Sequence, residues 1–436
     1  MNVADFPPWK CLLDDHTRTA AIAAVDAIAE SLQPAVEAWG QRWKDPAGID
    51  NASLACGRAG AALFYAYRAA ALPDRDDSPA IELLEAALEQ MNSRVMDCSL
   101  YCGFTGLAWV CEQVQALSGD NAEDDADDAN EEIDQALLEH VSRFREDAEW
   151  DLIDGLVGIG TYGLERLHRP TGREIADQVV RRLSELARPQ PGGLTWPTPA
   201  RRHRDDHRTS AAEWSFNLGM AHGIPGPIAF LGYACAADVS ADIARALLNR
   251  AVPWLLAQRL EDDSLSRYPH FRGPNLQSTP GRCAWCYGDL GVATALMAAA
   301  CGAQRDDWYR EALALSQHSA ERRTQRRDVM DAGLCHGAGG VGHLFNRLFH
   351  STGDSQLADA ARYWFEWALS KRNAPDGIGG FRTWSQERID DGEWIDDPRL
   401  LTGAAGTGLA LLAAATDLPP AWDRCMLLSM RGGAGG

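Results

Sequence analysis

The sequence predicts an all-α fold, an α/α toroid of seven helix pairs, and three observations point to it. A Gly-x-x-Gly step opening a small and apolar stretch recurs seven times, with first glycines at Gly57, Gly103, Gly155, Gly223, Gly288, Gly337 and Gly403. The spacing between these glycines stays between 46 and 68 residues, room for two helices and their connections. Amphipathic patterns of helical period fill the intervals. A unit of two helices cannot bury its apolar face alone, so the units must stack, and closing the stack into a ring removes its exposed ends. An open solenoid of the same units is the alternative.

Each element follows from its own residues. The stretches after the glycine steps are rich in Ala, Gly and Leu, as helices buried on several sides should be, and the glycines allow close backbone approach. Ser78-Pro79 reads as an N-cap with proline at the first helical position, followed by Ile81, Leu84, Leu88 and Met91 on one face. Leu357, Ala361, Trp364 and Ala368 repeat that rhythm. Residues 189–216 and 261–281 are long, rich in Pro and Gly, and lack a helical pattern; loops of this length in a compact domain are usually functional or mobile. Residues 381–395, with Asp391-Gly392 between two short alternating runs, read as a small β-hairpin. The segment 120–134 holds nine carboxylates and reads as a solvated acidic loop, with a docking site for a basic partner as the sharper reading. The tail 431–436 reads as flexible. The expectation is one domain over 1–436, with the seven repeats inside 53–412.

Composition excludes several classes. A net charge of −21 argues against a nucleic-acid partner, which would call for basic surfaces. No apolar run approaches the ~18 residues of a membrane span. The N-terminus lacks the basic region and apolar core of a signal peptide, so a cytoplasmic location is expected. Eleven cysteines without a secretion signal suggest reduced thiols and metal ligands rather than a disulfide framework.

If the repeats are equivalent, the residues just before each first glycine gather at one end of the ring. These are Cys56, Cys102, Asp154, His222, Tyr287, His336 and Thr402. Polar and ionisable side chains therefore precede apolar helices, near N-termini that favour thiolates and other anions. Cys286, Cys335 and His336 together make two thiolates and one imidazole, the ligand count of a zinc site with an open fourth position. Cys56 and Cys102 compete for such roles, and packed cysteines with a capped histidine are the plain structural alternative. Cys283 forms Cys-Ala-Trp-Cys with Cys286, but no βαβ unit of a redox protein surrounds it. His222 falls in the same set of positions. Asp151 and Asp154 are three residues apart, and either could be functional or a cap.

The segments NLGMAHGIPG (217–226), RCAWCYGDLG (282–291) and GLCHGAGGVG (333–342), with WDLIDGLVG (150–158) before them, resemble the bacterial lanthionine synthetase C-type cyclases. The resemblance runs from about residue 53 to 412. It implies a double-layered toroid with one zinc ion per chain at one end, held by Cys286, Cys335 and His336. It implies a reaction too: intramolecular Michael addition of a peptide cysteine to dehydroalanine or dehydrobutyrine, forming lanthionine or methyllanthionine. His222 would be the acid/base, Asp151 the active-site aspartate, and Arg282 and Tyr287 residues lining the site. The implied partners are a dehydrated precursor peptide with its leader, a dehydratase and an export transporter complex, which would attach the protein peripherally to the membrane.

Two-thiolate, one-imidazole ligation agrees with that chemistry independently, because it keeps a bound substrate sulfur electron-rich. The rival readings are a non-catalytic thiol- or peptide-binding adaptor of the same fold and a protein prenyltransferase-like alkylating enzyme. A glycosidase on a similar toroid would need two carboxylates across its cavity and would leave the cysteines unexplained.

Overall fold

A computed structural model describes residues 8–42, 51–93, 95–118, 128–198, 215–273, 278–322, 329–386 and 392–429. Its helices are α1 (Asp15–Arg42), α2 (Arg58–Ala71), α3 (Ser78–Ser93), α4 (Phe104–Ser118), α5 (Glu131–Ser142), α6 (Leu156–Glu165) and α7 (Pro170–Leu186). Next come α8 (Pro225–Ala236), α9 (Ala241–Leu256), α10 (Asp289–Ala303), α11 (Asp306–Glu321), α12 (Ala338–Thr352), α13 (Ser355–Ser370) and α14 (Ala404–Ala415). The strands are short and paired antiparallel: β1 (Arg188–Gln190) with β2 (Gly193–Thr195), β3 (Phe216–Asn217) with β4 (Phe271–Arg272), and β5 (Thr383–Ser385) with β6 (Glu393–Ile395). The last pair is the hairpin expected within 381–395, with Gly392 at φ +75°. No described helix is long and apolar enough to cross a membrane.

Every glycine step opens a helix, and most positions of those helices, α2, α4, α6, α8, α10, α12 and α14, are buried; α6 and α14 are buried at every position. The reason lies in the loop before each one. The residue after the first glycine donates its backbone N–H to the carbonyl seven residues back: Arg58 to Asn51, Phe104 to Asp97, Leu156 to Glu149, Ile224 to Asn217, Ala338 to Asp331 and Ala404 to Asp397. Each loop therefore curls back over the first turn of its own helix. A Cβ on the second glycine would stand 2.0 Å from the Leu100 carbonyl oxygen at Gly106 and 1.9 Å from that of Leu400 at Gly406, so only glycine fits.

The second helix of each repeat is amphipathic. On α13, Leu357, Ala361, Trp364 and Ala368 are all fully buried, as the period predicts. On α3 the buried face is Ala80, Leu83, Leu84 and Ala87, while Ile81 is exposed. The face is thus rotated away from Ile81, toward Ala80, Leu83 and Ala87.

Two compact units divide the chain by packing. One contains the described residues of Ala129–Arg322 and of Asp423–Gly436; the other contains those of Pro7–Asp128 and Arg323–Trp422. In the first, Asp289 at the start of α10 accepts from the Ser266 hydroxyl and from the Arg267 and Tyr268 backbone, pinning the 261–281 connection. In the second, helix α1, which the repeat pattern does not contain, supplies the amphipathic partner of α14. Trp9 Nε1 donates to the Ala413 carbonyl, Leu12 N to that of Ala414, and Arg18 Nε to that of Ala415.

The acidic stretch 120–134 ends differently from the expected loop. Residues 120–127 lie outside the described residues, whereas Glu131, Glu132 and Asp134 form the first turn of α5. Asp134 is fully buried and takes bonds from Arg166 Nη2 at 2.8 Å, from the Tyr162 hydroxyl at 2.7 Å and from Thr171 Oγ1. A carboxylate can be buried only with such partners, and the partners lie on later helices that a run of acidic letters does not reveal. The flexible tail expected at 431–436 lies outside the described residues.

Gly106→Ala is expected to lower stability by about 3 kcal/mol, and the denaturant midpoint with it, because backbone must move to admit the methyl group. Gly353→Ala, at φ +72° with open space around it, is expected to cost about 1 kcal/mol from left-handed strain alone. Urea titrations of the two variants check the order, and equal losses would refute the loop-packing account.

Candidate functional site

The loop before α6 carries Asp151, a buried carboxylate whose two oxygens have separate tasks. Oδ1 accepts the Asp154 backbone N–H at 2.8 Å. Ser53 and Ser99 do the equivalent job in the loops before α2 and α4, each accepting the N–H three residues on, at Cys56 and Cys102. An aspartate in place of that serine adds a second oxygen. Oδ2 lies 2.8 Å from Nδ1 of His222, the residue preceding Gly223 in the loop before α8. A carboxylate only accepts, so this pairing places the imidazole hydrogen on Nδ1 and leaves Nε2 able to take up a proton. Asp151 is 2% exposed in its side chain and His222 26%, so the ring is anchored at its buried end and open at the other. Asp154 is exposed; its carboxylate, with Asp151 and His222, forms a group whose ligand atoms all lie within 4.8 Å of one another.

The loop before α10 carries Arg282, Cys286 and Tyr287. Arg282 is exposed, Cys286 is buried, and Tyr287 is half-buried. Trp285, between them, is fixed by a bond from its Nε1 to the Met426 carbonyl at 3.1 Å. Tyr287 stands beside the rings of His270 and Phe271, and its oxygen accepts from Asn217 Nδ2 at 3.0 Å. The β3–β4 pairing, which sets Asn217 opposite Phe271, supplies these neighbours.

The loop before α12 carries Cys335 and His336, both half-buried. Cys335 N donates to the Leu401 carbonyl at 2.7 Å. Asp331 braces the loop, accepting from the Gly333 backbone on Oδ1 and from the Trp384 backbone on Oδ2, both at 3.1 Å. Burial pushes its carboxyl above the ordinary range, and the nearby His336 acts in the opposite direction.

Cys286 belongs to one unit and Cys335 with His336 to the other; each residue has one ligand atom to offer a metal ion, two thiolates and one imidazole in all. The donor set suits zinc, with two soft thiolates and one imidazole, and it leaves a tetrahedral position for a further ligand. Cys56, Cys102 and Cys283 belong to no such group among the described residues. Burial pushes the thiols of Cys98, Cys111 and Cys235 up to about 11, which keeps them protonated and unreactive at neutral pH.

Asn217, Asp331 and His270 are parts of the site that the residues before the glycines do not indicate. A signal for two of them exists six residues before the first glycine, where Asp97, Asn217, Asp331 and Asp397 stand. Each accepts on Oδ1 the N–H two residues on, an Asx turn that starts the loop.

Residues 48–427 match the model of the family described as lanthionine synthetase C-like protein. Among solved structures the chain is similar to one titled nisin cyclase, with a TM-score of 0.68 at 18% identity, over 91% of this chain and 97% of that one. This likeness shows the fold, the helical toroid expected from the seven repeats. With the family model spanning all seven glycine steps, the chain belongs to the lanthionine synthetase C-like family.

Proposed function

We propose that this protein closes thioether rings in a peptide, adding a cysteine thiol to the β-carbon of a dehydroalanine or dehydrobutyrine in a dehydrated precursor. The observation that carries the reading is the Asp151–His222 pair, an oriented imidazole with an open Nε2, in a family of lanthionine synthetase C-like proteins. A purely structural histidine needs no buried carboxylate behind it.

Cys286, Cys335 and His336 are the residues that would hold zinc. A zinc ion bound there supplies a site that favours the ionised form of the substrate thiol at neutral pH. His222 Nε2 takes up the proton that the thiol loses and returns it to the α-carbon after the carbon–sulfur bond has formed. The reaction then adds S–H across C=C with no oxidant, reductant or water consumed. Asp151 keeps the hydrogen on Nδ1 throughout and stabilises the imidazolium between the two transfers. As the β-carbon is attacked, negative charge grows on the adjacent carbonyl oxygen; the Tyr287 hydroxyl and the Arg282 guanidinium are the donors proposed to meet it. On this reading the partners are the precursor peptide with its leader and the dehydratase that must act first. An export transporter complex would place the protein at the inner face of the membrane.

The purified protein is expected to hold about one zinc per chain, and Cys335→Ala to lose most of it. Metal analysis of both checks this, and full retention in the variant would remove the ligand assignment. His222→Asn is expected to keep zinc and fold while slowing ring closure by ~10²–10⁴-fold. Cyclisation leaves the mass unchanged, so the assay counts peptide thiols with an alkylating reagent; thiol loss at the wild-type rate would reject the role. Asp151→Asn keeps the Oδ1 acceptor for Asp154 but turns an N–H toward His222 Nδ1, forcing the ring hydrogen onto Nε2. It is expected to fold normally and lose kcat on a similar scale of ~10²–10⁴. Wild-type kcat in this variant would show that the pair does not set the tautomer.

A further inference from the structure

Tyr287 is fixed in place by its ring and in orientation by its oxygen. Its ring centroid lies 5.0 Å from that of His270 and 5.8 Å from that of Phe271. A Cβ on Gly219 would stand 2.7 Å from its Cδ1 and Cε1, so the ring settles where it does because residue 219 has no side chain. The oxygen accepts from Nδ2 of Asn217, a residue only 2% exposed. That amide cannot be turned over. Its Oδ1 accepts the Gly219 backbone N–H at 2.8 Å, a donor whose direction the chain sets, so Nδ2 must face the phenol. An amide N–H2 offers no lone pair. The Tyr287 hydrogen therefore points away from Asn217.

Asn217 is also bound into the loop that carries His222. Its N–H donates to Thr198 Oγ1 at 3.0 Å, and its carbonyl accepts from Ile224 N at 3.0 Å. A Cβ on Gly223, next to His222, would stand 2.3 Å from the Asn217 carbonyl oxygen. One buried residue thus connects the phenol, through its side chain, to the loop of the proton-transferring imidazole, through its backbone.

We propose that Asn217 is a positioning residue for the addition, an inference that rests on the thioether-forming reading above. By occupying the acceptor side of the Tyr287 oxygen with an N–H, Asn217 aims the phenol O–H at the carbonyl oxygen that becomes enolate-like. No proton changes owner; the phenol gives a hydrogen bond that strengthens as the charge grows. The orientation depends on polarity rather than on shape. An aspartate at 217 would keep the Oδ1 acceptor for Gly219 and present a second acceptor to the phenol, drawing its hydrogen away from the substrate.

The test is a double-mutant cycle of Asn217→Asp and Tyr287→Phe. Thiol loss is followed on a synthetic peptide carrying one dehydroalanine and one cysteine, with zinc content measured for each protein. The expected result is a kcat lower by about 100-fold in Asn217→Asp, the scale of one lost oxyanion donor, with KM within about 2-fold. The double variant should be no slower than Tyr287→Phe alone. If Asn217→Asp does not fold or loses zinc, the same cycle with Asn217→Ala decides by the same non-additivity. Losses that multiply in the double variant, or a wild-type kcat in Asn217→Asp, would overturn the proposal. Wild-type protein that removes thiols no faster than the peptide does alone would overturn the thioether-forming reading beneath it, a different result from either.

Discussion

The hydrogen bond from the residue after the first glycine to the carbonyl seven positions back, made in six of the seven repeats, is the constraint on which the structure depends. It closes a loop of fixed length against the first turn of an apolar helix, and it recurs before α2, α4, α6, α8, α12 and α14. The closure needs a glycine where loop and helix touch, which is why the sequence repeats glycines more faithfully than any other residue. It also delivers the residue before the first glycine to the same place in those six repeats. Chemistry can be changed there without altering the backbone: cysteine, aspartate, histidine and threonine all occur at that position.

The same economy appears inside the loops. Position 151 shows a structural task and a chemical task carried by two oxygens of one carboxylate. At the corresponding position of the loop before α8 stands Gly219, whose missing side chain makes room for Tyr287. Serine, aspartate and glycine at one repeat position thus give a plain loop, an imidazole anchor and a socket for a phenol. A change of one residue alters the function of the loop while its backbone bonds persist.

Much of this was legible in the sequence. The seven glycine steps, the buried helices they open, the hairpin near 383–395 and the amphipathic face of α13 follow from spacing and period alone. The rotation of α3 was not legible, since Ile81 and Leu83 are equally apolar and only tertiary packing selects between them. Nor was the burial of Asp134, because its partners Tyr162, Arg166 and Thr171 are some 30 residues distant and read as ordinary helical residues. Helix α1 lacks the glycine signature and so falls outside any reading based on repeats. At the candidate site, the ionisable residues were visible from their place before the glycines. Asn217 was not, because the polarity of an amide becomes informative only when both of its neighbours are known.

The docking of the N-terminal segment on α14 has a consequence for how the chain comes to be folded. Trp9 finds its carbonyl partner at Ala413, 404 residues later, whereas the loops before the buried helices close within seven. Helix formation and loop closure can therefore proceed as the chain emerges from the ribosome, but the face of α1 that meets α14 must wait until α14 has been made. At ~5–20 residues per second this interval is ~20–80 s. Helix α1 is thus made well before the helix it packs on, and during that time its apolar face is a natural client for a chaperone.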